Sequence, residues 1–170
     1  SYKLPIKCNR MSSSSELIYN KDGTIYHLNI DESYLNEYII TVGDPERVDV
    51  VASHCDSVIK TATKREFTTA VCQLGNKRIT IISTGIGTDN IDIVLNEIHA
   101  LYCSHKKNYT GELPALKFIR IGTSGGIHPE TEVDSVIVNN ASIGLDLLMH
   151  YYNSTNHNSE KRKMKELCEL

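Results

Sequence analysis

Two turns in this chain have the residue types needed to hold an oxyanion. Arg120-Ile-Gly-Thr-Ser-Gly-Gly126 follows the apolar run Leu116–Ile121, and Gly43-Asp-Pro-Glu-Arg47 follows another, Tyr38–Val42. An arginine offers a planar fork of donors to phosphate. Glycine lets backbone N–H groups approach an anion closely. Two such turns, each at the end of an expected strand, suggest one phosphate held from two strand ends. Arg47 stands early in an expected helix, where its charge opposes the positive end of the macrodipole unless an anion binds there. Arg120 lies inside an apolar run, and a buried arginine needs a partner.

Other chemistries find less support. There is no G-x-x-x-x-G-K-[ST] sequence, and Gly85-Ile-Gly87 is followed by Asn90 where a dinucleotide fingerprint needs glycine. No Ser/His/Asp or Cys/His arrangement stands out, and the histidines lack metal-ligand spacing. Lys64-Arg65-Glu66-Phe67-Thr68-Thr69 on composition is a charged strand edge, and His27 among apolar neighbours is more often a surface residue. Glu97 and His99, on an expected helix, are expected to face solvent or a partner.

The elements that must position these residues alternate. Tyr38–Val42 is an apolar, β-branched strand. Asp44 can cap a helix with Pro45 at its first position, and that helix buries Val48, Val51, Ala52 and Cys55. Phe67–Leu74 and Arg78–Ser83 are two strands around a Gly75-Asn76 hairpin turn. A helix capped near Thr88–Asn90 presents Ile91, Val94, Leu95, Ile98, Leu101 and Tyr102 at helical spacing. A polar insertion, Ser104–Glu112, precedes the Leu116–Ile121 strand, and Ser135–Asn139 is expected to form another. The pattern predicts a three-layer α/β/α fold with a mixed central sheet. Ligands in such folds sit beyond the carboxyl ends of strands, where both turns fall.

Of 170 residues, 40% are hydrophobic and 23% charged, with net charge −3, which argues against binding a nucleic acid polymer. No apolar run approaches the roughly 18 residues of a membrane span. The five cysteines are odd in number and never in a CxxC pair, and are expected to be free thiols in a reducing, cytoplasmic setting. Residues 1–20 are expected to be a disordered tail, 21–152 the α/β domain, and 153–170 a polar tail or marginal helix.

Taken in order, Tyr26-His27-Leu28, Val42-Gly-Asp-Pro-Glu-Arg47, Arg65-Glu-Phe-Thr-Thr69, Ser83-Thr-Gly-Ile-Gly87 and Arg120-Ile-Gly-Thr-Ser-Gly125 resemble the uridine phosphorylases of the nucleoside phosphorylase superfamily. The resemblance covers about residues 25–145. It implies phosphorolysis of a nucleoside, with inorganic phosphate as co-substrate, no organic cofactor, and Arg120 and Arg47 as the catalytic cations. It places phosphate on Gly43, Arg47, Arg120 and Thr123, with Arg65 reaching the phosphate of a neighbouring subunit. His27 would cross the same interface to the ribose 5′-hydroxyl, and Thr123, Ser124 and Gly125 would line the nucleoside. A homodimer, or a hexamer built from such dimers, follows. Glu66 and Ile86 match a potassium site between subunits in some relatives, although Asn90 replaces its serine. The resemblance also implies a Gln/Arg pair that reads the base and a Glu-Met-Glu segment on the ribose, neither of which occurs in these 170 residues. Alternative readings are a purine nucleoside phosphorylase, a nucleosidase, or a truncated, non-catalytic phosphate-binding dimerisation module.

Overall fold

The computed structural model describes residues 18–108, 115–139 and 142–152, with Glu160, Arg162, Lys163, Lys165 and Glu166. The start of the expected N-terminal tail, Cys8, Cys168 and part of the expected polar insertion lie outside the described residues. The chain divides into two compact units, one ending at Ile127 and one beginning at His128.

The first unit is built on a five-stranded mixed sheet. Its strands are β1 (Tyr38–Val42), β2 (Ser57–Lys64), β3 (Phe67–Leu74), β4 (Lys77–Ser83) and β5 (Lys117–Arg120), in the order β2-β3-β4-β1-β5. β1 lies parallel to both β4 and β5, with Val42 opposite Ser83 and Thr41 opposite Arg120. β2–β3 and β3–β4 are antiparallel. Among the described residues its α-helices are α1 (Glu46–Ala52) and α2 (Thr88–Asn108).

Alternate residues of the strands feed two cores, as the pleat requires. Ile39, Phe67 and Ile82 pack with Val94, Ile98 and Leu101 of α2 and with Ile25, Leu28 and Ile30 of the segment before β1. Val42, Ala70, Cys72, Ile79 and Ile81 pack with Val48 and Ala52 of α1. Two cores, one joined to each helix, make the three layers expected from the alternation of elements.

Several expectations need correction. β2 has no counterpart in the sequence reading, because its Lys and Thr residues sit on a half-exposed outer strand and break the apolar pattern. α2 runs on to Asn108, into the expected insertion. Cys55 and Cys72 are free, whereas Cys103 is disulfide-bonded rather than a free thiol.

In the second unit Ser135–Asn139 is irregular rather than a strand. Val133, Val136, Val138 and Leu145 there are all at least 90% exposed. A single extended segment has no ladder partner for its N–H and C=O groups, so β-branched content alone does not make it a strand. A 3₁₀ turn spans Leu148–Tyr151. The described positions between Glu160 and Glu166 are helical, with Arg162 Nε 3.6 Å from Glu166 Oε1 one turn on.

Candidate functional site

Parallel pairing of β4, β1 and β5 brings three of the glycine-bearing segments to one sheet edge. Thr84 N–H donates to the Val42 carbonyl at 2.8 Å just beyond β4, and Ile121 N–H donates to the Thr41 carbonyl at 2.9 Å just beyond β5. A Cβ placed on Gly43 would lie 3.9 Å from the Gly85 oxygen, which is ordinary contact, and Gly43 does not have a positive φ. Neither packing nor backbone geometry therefore requires glycine at 43.

The two arginines differ in setting. Asp44 Oδ1 accepts from the Glu46 N–H at 2.9 Å, and Pro45 is already helical at φ −53° and ψ −39°, so the turn delivers Arg47 into the first turn of α1. Arg47 is half-buried. Arg120, although it stands in an apolar run, is exposed because β5 is an edge strand with all four residues exposed. Its guanidinium folds back over Gly122, where an added Cβ would collide with Nη1. Among the described residues neither arginine has a carboxylate within 4.0 Å. Thr123, Ser124 and Gly125 follow as exposed, irregular chain.

A second group gathers around Tyr26. The Lys64 ammonium lies 4.3 Å and the Arg65 guanidinium carbon 5.9 Å from the Tyr26 ring centre. Arg65 occupies the β2–β3 turn at φ +56° and is exposed. His27 meets the Tyr26 ring edge-on, with centroids 4.9 Å apart. Glu97 of α2 is buried at 6% exposure, not solvent-facing, and its carboxylate accepts from His27 and Leu28 N–H and from His27 Nδ1. Its position three residues after Val94 and four before Leu101 put it on the buried helix face, a signal available from spacing alone.

Glu66 joins the two groups. Its side chain packs against Gly85, whose φ is +66° and where a Cβ would sit 2.9 Å from Glu66 Cγ and 2.7 Å from Asn90 Nδ2. Ser83 Oγ ties the same turn to β4, donating to the Glu66 carbonyl at 2.8 Å and accepting from Thr68 N–H at 2.7 Å. These contacts also bear on the expected potassium site. Asn90 Nδ2 donates to the Ile86 carbonyl at 3.0 Å, and that oxygen keeps a second lone pair.

Together the fold and the sheet edge define a mixed α/β domain with cationic and glycine-rich turns at the carboxyl ends of parallel strands. The profile of the phosphorylase superfamily matches residues 37–163, and the chain belongs to that superfamily. It is 35% identical over 124 residues to the uridine phosphorylase of Salmonella typhimurium, covering 72% of this chain and 44% of that protein. It is 25% identical over 130 residues to the purine nucleoside phosphorylase of Plasmodium falciparum, covering 76% of this chain and 48% of that protein. The crystal structure of a Trypanosoma brucei nucleoside phosphorylase, described as showing uridine phosphorylase activity, superposes with a TM-score of 0.71 at 32% identity. That match covers 88% of this chain and 52% of the other. The chain thus spans less than half the length of the curated relatives it matches.

Proposed function

We propose that this chain carries the phosphate-binding part of a nucleoside phosphorylase, with uridine as the first substrate to test. The carrying observation is the convergence of Gly43, Gly85 and Arg120 at the ends of three neighbouring parallel strands, with Arg47 one turn beyond. In this reading Gly43, Arg47, Arg120 and Thr123 bind inorganic phosphate, and Thr123, Ser124 and Gly125 lie along the nucleoside. The N-glycosidic bond breaks, the base leaves with the electron pair and takes a proton, and a phosphate oxygen bonds to C1′. Fixed cations orient the phosphate and hold its charge next to the developing oxocarbenium ion. No general base is needed. A nucleosidase is not favoured, since a hydrolase has no use for an anion held by two arginines.

His27 and Arg65 complete the reading as residues given to a neighbouring subunit, and the exposure of Arg65 at a tight turn supports this. The protein then works as a homodimer, or as a hexamer of three dimers, in the cytoplasm. Among the described residues no helix is long and apolar enough to cross a membrane.

Uracil release from uridine, measured with and without phosphate, tests the proposal. Phosphate-dependent release that is lost in Arg120→Ala supports it, and release unaffected by phosphate refutes it. Mixing Arg65→Ala with Arg120→Ala subunits tests the shared site. Activity regained on mixing supports intersubunit sites, and no gain in mixed dimers refutes them.

A further inference from the structure

Glu97 is the most fully engaged buried charge in the described part of the chain. It stands on the apolar face of α2, among side chains with almost no exposure, where an unpaired carboxylate would be costly. Its oxygens accept from His27 N–H at 3.0 and 3.1 Å and from Leu28 N–H at 2.9 Å. A third group, His27 Nδ1, lies 2.7 Å from Oε1.

The two backbone bonds have a folding role. The segment around His27 has an isolated bridge, Tyr19 to Ile25, but no strand ladder, so its N–H groups need side-chain acceptors. The ring contact goes beyond that need. A carboxylate can only accept, so Nδ1 must carry the hydrogen. In the neutral ring this leaves Nε2 as an acceptor, which suits a hydroxyl donor. The Tyr26 ring packs edge-on against the imidazole and limits its rotation.

We infer that Glu97 is a positioning residue for nucleoside binding: it fixes both the direction of His27 and its Nδ1–H tautomer, so that Nε2 accepts from the sugar 5′-hydroxyl. This rests on the phosphorylase reading above, in which His27 serves the sugar. Glu97→Gln is the informative variant. Its amide oxygen can still accept from the two N–H groups, while its NH₂ would face Nδ1 and favour the Nε2–H tautomer.

The test has two independent arms. Nitrogen-15 NMR of the histidine rings, with His27 assigned by its loss in His27→Ala, should show Nδ1–H in the unmodified protein and Nε2–H in Glu97→Gln. In turnover assays Glu97→Gln should raise the KM for uridine about fivefold with little change in kcat, the scale of one weakened neutral hydrogen bond. It should leave 5′-deoxyuridine unchanged and have no effect in a His27→Ala background. An Nε2–H ring in the unmodified protein overturns the inference. So does an equal effect on both nucleosides, or an effect that persists without His27. Failure to turn over any nucleoside, together with no binding of inorganic phosphate, would instead overturn the phosphorylase reading, and the NMR arm would still decide whether Glu97 sets the ring.

Discussion

Replacing Gly85 with alanine separates two costs that the structure places at one residue. At φ +66° the backbone is in the left-handed region, where an L side chain costs about 1–2 kcal/mol. The new Cβ would also sit 2.7 Å from Asn90 Nδ2 and 2.9 Å from Glu66 Cγ. Asn90 can swing away, but it then gives up its 3.0 Å bond to the Ile86 carbonyl, a loss of about 1 kcal/mol. Moving the Glu66 stem disturbs the turn that Ser83 ties down. The total is about 2–3 kcal/mol, and with a urea slope of about 2 kcal/mol per molar the unfolding midpoint should fall by at least about 1 M. Gly75→Ala is the control: its φ is +58° and nothing lies within 4 Å of its Cβ position, so it should show only the backbone cost. Urea unfolding followed by circular dichroism measures both. Because Asn90→Ala already lacks that bond and the crowding atom, adding Gly85→Ala to it should cost less than Gly85→Ala costs in the unmodified chain. If Gly85→Ala shifts the midpoint no further than Gly75→Ala, the proposed crowding between Gly85, Asn90 and Glu66 is wrong.

Gly122→Ala should leave stability within about 0.5 kcal/mol, because the Cβ meets only the movable end of Arg120, yet weaken phosphate binding by displacing that guanidinium. Calorimetric titration with phosphate checks it, and unchanged affinity would remove Arg120 from the site. Inorganic phosphate at 100 times its Kd should stabilise the protein by about 2.7 kcal/mol, and Arg47→Ala should reduce that gain in a thermal melt. Burial, with a smaller contribution from Cys55, pushes the Cys72 thiol up from 9.0 to about 11. A raised folded value means that the contribution is fully present below pH 9 and is lost as pH rises through about 11. Unfolding measured from pH 8 to 11 should therefore fall more steeply in the native sequence than in Cys72→Ala.

Much of the candidate site was legible because arginine, glycine and the residues around them have few neutral uses at strand ends. Gly43, Arg47 and Arg120 are identifiable from Tyr38–Val42, Asp44-Pro45 and Leu116–Ile121 without coordinates. The setting of Arg120 was not legible. An apolar run reads as buried, whereas in this structure β5 is an edge strand and the arginine is exposed. Glu97 was missed for a different reason: a carboxylate on a helix is usually solvated, and its partners stand about 70 residues away in an irregular segment.

The sequence alone determined the local elements with strong patterns. The helical spacing of Val94, Ile98 and Leu101, the hairpin at Gly75-Asn76 and the apolar strand Tyr38–Val42 each follow from neighbouring residues, because periodicity and turn chemistry act over a few positions. Only the tertiary structure decided which segments became strands at all. Lys60–Lys64 pairs with β3 although its pattern is polar, while the β-branched Ser135–Val138 has no ladder and stays irregular. It also decided that β1 stands between β4 and β5, which places Gly43, Gly85 and Arg120 side by side. Strand order depends on burying both faces of the sheet through contacts distant in sequence, and no local pattern encodes it.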